Sequence, residues 1–186
     1  MTRRLYPARL TGRVTAPPGK SAWHRALICH FLAGQSLPEQ VSGDDVKHTL
    51  VGLRALQSGA PVVDCGDSGA TLRFLLPLAM ALGRRDTLFT GSPRLLERPL
   101  SAPYPVERTE RGYRAAAPLP PGRYALRGDE TSQTVSGLLM ALPLLDAPSQ
   151  LVLTTPLVSR PYVDMTLDTL HRHGAVSYTH LTLPTN

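Results

Sequence analysis

Short runs rich in apolar and β-branched residues alternate along this chain with longer runs whose apolar positions recur at helical spacing. Positions 10–16 read as a strand, stopped by Pro17-Pro18-Gly19. Positions 21–33 predict a helix, with Trp23, Ala26, Leu27, His30 and Phe31 spaced for one buried face. Asp44 or Asp45 is placed to cap a second helix reaching Gln57. A short strand at 62–65, a tight turn at 66–69 and a helix at 70–82 follow, and Gly83 closes that helix. A strand at 87–90 ends at Gly91-Ser92-Pro93. Positions 101–123 are rich in Pro and Arg and read as a loop with a hairpin around Gly112. A third helix at 132–142, a strand at 150–155 and a last helix from Pro161 to Gly174, with Ser159 as N-cap, complete the pattern. The alternation indicates an α/β fold.

Several of these helices open directly after a small polar turn. A helix start exposes unpaired N–H groups and the positive end of the helix dipole, so each can hold an anion. Four such starts in one chain, at Ser21, 64–70, 128–133 and 155–162, suggest a shared anion site.

Composition narrows the partner. Lys and Arg number 20 against 14 Asp and Glu, a net charge of +6, which favours anionic partners. Aromatics at 5% and the lack of a dense basic run argue against nucleic acid. At 42% hydrophobic, the chain has enough for a packed core. Cys29 and Cys65 form no metal spacing and read as small core residues. The apolar stretch at 72–82 is broken by Arg73 and Pro77 and is too short to span a bilayer, and no signal peptide is readable, so a soluble cytoplasmic protein is expected. His171 and His173 point two ways on a helix and make no metal site.

Five constellations carry chemistry. Gly19-Lys20-Ser21 with Arg25 one turn on supplies a close-approach turn, a point charge, a hydroxyl and a guanidinium, a set suited to phosphate or carboxylate. It is no P-loop, because Val14 stands where that motif needs glycine. Asp64-Cys65-Gly66-Asp67-Ser68-Gly69-Ala70-Thr71-Leu72-Arg73 brackets a polar turn with glycines and puts Arg73 one turn into a helix. Arg98 precedes Pro99, which biases it to an extended conformation fit to clamp an anion. Thr131-Ser132-Gln133 opens an apolar helix with two hydroxyls and an amide, and Ser159-Arg160-Pro161-Tyr162 offers further donors. Each piece alone is better served by a helix cap, a plain turn or a solvated pair.

In this order the five resemble EPSP synthase, the 3-phosphoshikimate 1-carboxyvinyltransferase of the shikimate pathway of aromatic amino acid biosynthesis. The resemblance runs from about residue 8 to Gly174. It implies that Lys20, Ser21, Arg25, Thr131, Ser132, Gln133, Ser159 and Tyr162 bind shikimate 3-phosphate. It implies that Lys20, Asp67, Gly69, Arg98 and Gln133 bind phosphoenolpyruvate, with Lys20 catalytic. The implied reaction moves the enolpyruvyl group to the 5-hydroxyl with loss of phosphate, through a tetrahedral intermediate and with no metal or organic cofactor. Neither nucleic acid nor membrane is an implied partner, and the full-length protein is expected to be monomeric.

The implied fold is one lobe of an inside-out α/β barrel built from βαβαββ units. Positions 1–16 are then a strand of a second lobe, 17–175 a substrate-binding lobe with shortened subdomains before Asp64 and Gly128, and 176–186 a tail outside the family pattern. The family has Asn or Glu where Asp67 stands and Ser where Thr131 stands; both changes keep a polar group. The second lobe, with its acid and base groups, has no counterpart, so the chain is expected to turn over weakly or not at all. Two other readings stand beside this one: a UDP-N-acetylglucosamine enolpyruvyl transferase, whose Asn beside the Lys and loop Cys are missing here, and a non-catalytic basic anion-binding module.

Overall fold

A computed structural model describes residues 19–174 and, ahead of them, positions 3, 4, 6, 7, 9, 11–13 and 15. The strand expected at 10–16 lies partly outside these residues and the tail at 176–186 wholly so; no strand occurs among the described residues before Gly19.

In chain order the elements are helices α1 (Lys20–Leu32) and α2 (Asp44–Ser58), strand β1 (Val62–Asp64), helix α3 (Gly69–Ala81), strand β2 (Leu88–Thr90) and the one-turn helix α4 (Pro93–Leu96). They continue with strands β3 (Glu107–Thr109), β4 (Gly112–Arg114) and β5 (Arg123–Leu126), helix α5 (Ser132–Ala141), a 3-10 turn (Leu142–Leu144), strand β6 (Gln150–Leu153) and helix α6 (Arg160–Arg172). From Val62 to Arg114 the element order is therefore βαβαββ.

Local chemistry sets most boundaries. Ser68 caps α3 by accepting from Thr71 N at 3.1 Å, and Ser92 caps α4 by accepting from Leu95 N. Asp44 and Asp45 lie in the first turn of α2 and do not cap it; Gly43 occupies the N-cap, and both carboxylates oppose the positive helix end. Ser159 does hold the N-cap position of α6, but its side chain makes no capping bond.

The strands form two small sheets. β1 and β2 are parallel, β2 pairs antiparallel with β4, and β3 and β4 make the hairpin expected at Gly112. β5 and β6 form a separate parallel pair. β5 supplies the run that ends at the 128–133 turn, whereas α4 was not foreseen, because four residues carry no periodicity.

Five helices close into a ring: α1 packs on α2, α2 on α3, α3 on α5, α5 on α6, and α6 back on α1. The α3–α5 crossing is the tightest join. Pro77 has no N–H, so the Arg73 carbonyl one turn earlier lacks its helical partner. The backbone of Gly137 on α5 lies against that same carbonyl, and a Cβ at 137 would overlap it. Nearly all of α3 is buried, including Phe74, Leu75, Leu76 and Leu78. The ring also buries a different face of α1 from the one expected. Leu27 is buried as foreseen, but Ile28, Cys29, His24 and Arg25 join it, while Trp23, Ala26, His30 and Phe31 are only half-buried. α1 is covered from two sides, and its two polar residues are buried because the neighbours supply their hydrogen bonds.

Candidate anion site

All five ring helices start at one cavity of about 430 Å³. Lys20 begins α1, Asp45 lies in the first turn of α2, Gly69 begins α3, Ser132 begins α5 and Ser159 precedes α6, and each lines that cavity. Five positive helix ends and their free N–H groups thus face one volume. The eleven residues singled out in the sequence, from Lys20 to Tyr162, all line it.

Arg25 is 3% exposed and, among the described residues, bonded only to neutral acceptors. Its Nε donates to Thr166 Oγ1 at 2.6 Å, Nη1 to the Ser21 carbonyl at 2.7 Å, and Nη2 to Ser136 Oγ at 3.0 Å and the Tyr162 carbonyl at 2.9 Å. Its guanidinium also lies 5.2 Å from the centre of the Phe74 ring. Burial brings its pKa down to about 10, so it stays cationic at neutral pH. Of its five N–H groups, four are used among the described residues and one remains on Nη1.

The other residues are held as follows. Lys20 Nζ reaches Asp45 Oδ2 at 2.7 Å on the exposed rim. Asp67 accepts from Ser92 Oγ. A Cβ on Gly69 would fall 2.8 Å from Arg73 Nη1, 3.4 Å from Gln133 Oε1 and 3.8 Å from Arg98 Nη1, so a bare backbone is what lets those three side chains converge. Arg98 itself is exposed. Thr131 accepts from Gln133 N at 3.1 Å, Ser132 is buried at the helix start, and Tyr162 is 46% exposed.

Sequence reasoning passed over three contributors. Asp45, read as a helix cap, instead pairs with Lys20. His24, between Ser21 and Arg25, lines the cavity. Arg73 lies behind it, 7% exposed, donating to the Pro99 carbonyl at 2.8 Å and to Gln133 Oε1 at 3.5 Å, so it ties the Arg98 turn to α5. Its position in the second constellation was the available signal. Burial lowers its pKa, and its Nε has no partner among the described residues.

The charge balance is uneven. Each lining carboxylate has a partner: Asp45 has Lys20, Asp67 has Ser92, and Glu130 has Arg127 at 3.5 Å. Arg25, Arg73 and Arg98 have no carboxylate among the described residues. No three His, Cys, Asp or Glu side chains gather as a metal site would need, and no helix is long and apolar enough to cross a membrane, both among the described residues. Cys29 and Cys65 are buried free thiols, and burial raises the pKa of Cys29 to about 11.

Residues 55–180, about two thirds of the chain, match the sequence profile of EPSP synthase (3-phosphoshikimate 1-carboxyvinyltransferase). The chain belongs to the EPSP synthase family. Among curated members of that family, the 3-phosphoshikimate 1-carboxyvinyltransferase of Clostridium kluyveri is 38% identical over 201 aligned positions, covering 91% of this chain and 47% of the relative. The enzymes of the same name from Clostridium perfringens and Clostridium novyi are 34% and 29% identical, with 91% and 92% of this chain covered. The chain spans about half the length of these EPSP synthases. Because 91% of 186 residues is about 169, about 32 of the 201 positions aligned with the Clostridium kluyveri enzyme have no residue of this chain opposite them.

Proposed function

We propose that this chain supplies one wall of the site at which an EPSP synthase moves the enolpyruvyl group of phosphoenolpyruvate to the 5-hydroxyl of shikimate 3-phosphate. The wall is one lobe of the family's inside-out barrel, acting in the cytoplasm. The observation that supports this best is the convergence of five helix starts and uncompensated guanidinium groups on one cavity. Ser21, Arg25, Thr131, Ser132, Ser159 and Tyr162 take the shikimate 3-phosphate side. Asp67, Gly69 and Arg98 take phosphoenolpyruvate, while Lys20 and Gln133 reach both.

In the reaction the 5-hydroxyl gives up its proton and its oxygen bonds to C2 of phosphoenolpyruvate, as the C2–C3 double bond opens and C3 gains a proton. The tetrahedral adduct then loses phosphate and a C3 proton. Lys20 and the helix starts stabilise negative charge through both steps, an effect that is largest in a cavity sheltered from water. The acid and base groups belong to the remainder of a longer enzyme, so the 186 residues bind without efficient turnover.

Titration calorimetry on the purified chain tests this. Saturable binding of shikimate 3-phosphate, lost in Arg25→Met, is expected. Salt-sensitive binding of an oligonucleotide with no heat from shikimate 3-phosphate would overturn it.

A further inference from the structure

One titratable group in the cavity wall has no task in that reading. His24 is 2% exposed. Its Nδ1 lies 2.7 Å from Thr49 Oγ1, which lies 2.7 Å from Thr71 Oγ1. Each hydroxyl has one hydrogen. Thr71 Oγ1 has Ser68 Oγ at 2.8 Å and the Asp45 carbonyl at 3.2 Å as acceptors for its one hydrogen, and Thr49 Oγ1 has the same carbonyl at 3.5 Å. With the Thr71 hydrogen on one of those acceptors, Thr49 donates to Thr71 and its lone pair receives the Nδ1–H of His24. This order of donors leaves Nε2 of the neutral ring as a bare lone pair. Among the described residues Nε2 has no hydrogen-bond partner, and the side chain lines the anion cavity. The chain of hydroxyls runs from α1 through α2 to the cap of α3, so the ring cannot turn without breaking it.

We infer that His24 is a further anion-binding residue that takes up a solvent proton as the cavity fills, so that Nε2–H donates to the bound anion while Nδ1 stays on Thr49. The inference rests on the anion site proposed above and adds a proton to its binding equilibrium. The charged and titratable groups around His24 are Lys20 and Arg25 on its own helix, Asp45 from α2, Glu130 before α5 and Tyr162 from α6; α3 presents the edge-on Phe74 ring. In the empty cavity, burial together with Arg25 and Lys20 outweighs Asp45 and keeps the imidazole neutral down to about pH 4. A doubly charged anion within hydrogen-bond reach reverses that balance, because an opposite charge so close favours the imidazolium by about 1–3 pH units.

Sulfate is the probe, since it keeps both charges through the working range and any proton gained belongs to the protein. The His24 ring is followed by imidazole ¹⁵N and Cε1–H shifts across pH in the 186-residue chain, in sulfate and in chloride of equal ionic strength. Sulfate is expected to raise the His24 midpoint by about two units, with the protonated Nε2 visible and Nδ1–H retained. Sulfate is also expected to bind about tenfold tighter at pH 5 than at pH 8, a dependence that His24→Gln removes. An unmoved His24 midpoint, with the amides at the starts of α1, α3 and α5 shifted by sulfate, overturns the role of His24 and leaves the anion site standing. If those amides do not move either, the site reading falls and this inference with it. The wild-type spectrum decides the matter even where the variant fails to fold.

Discussion

Arg25 on the floor of the cavity and Lys20 on its rim sit five residues apart on one helix, and the protein holds them by opposite means. Lys20 is exposed and has a carboxylate, Asp45, at 2.7 Å. Arg25 is buried and, among the described residues, has none, only two hydroxyls and two carbonyls. A surface ion pair costs little to form and little to break. A buried cation ringed by neutral acceptors is pinned in place with much of its charge unspent, so an arriving anion meets it already desolvated and oriented. In the proposed function, the rim would then steer and release ligand and the floor would fix it.

Substitutions test this contrast, beginning with the floor. Arg25→Lys keeps the charge but cannot reach four acceptors. It is expected to weaken sulfate or shikimate 3-phosphate binding by about 100-fold and to lower stability by about 2–3 kcal/mol, read by calorimetry and urea unfolding. An equal loss on Lys20→Met would erase the distinction.

The next effect is an acid limb in stability. The His24 pKa is about 4 folded against 6.5 as its ordinary value. Below pH 6.5 the unfolded chain binds the extra proton, so stability is complete above 6.5 and drains away as pH falls toward 4. The loss reaches at most about 3 kcal/mol, and urea midpoints measured across that window check it. His24→Gln should flatten it.

The smallest effect belongs to the rim. Lys20→Met should leave the urea midpoint within about 0.5 kcal/mol of the parent while costing about tenfold in anion affinity.

The same divide governs how much could be read in advance. α3 was legible because the tight turn at 66–69, Gly83 and a mostly apolar run mark its ends and its burial. The helix starts at Ser21, Thr131 and Ser159 were legible because capping residues and glycines punctuate a chain locally. The buried face of α1 was not, because His24 and Arg25 look solvent-facing until Thr49, Ser136 and Thr166 arrive from elsewhere in the fold. Asp45 and Arg73 act through partners 25 and 60 residues away, Lys20 and Gln133, and no local pattern announces such a pairing. The helix α4 is one turn that packing and the Ser92 cap hold together.

The meeting of Pro77, the Arg73 carbonyl and Gly137 couples two distant parts of the sequence into a single unit of variation. A side chain at 137 has nowhere to go unless α3 withdraws, and α3 carries Gly69 and Arg73 with it. A library that diversifies the α3 turn and the α5 turn independently will therefore return mostly unfolded clones. One that treats 73, 77 and 137 as a single choice keeps the relative position of the two halves of the cavity while everything around them changes.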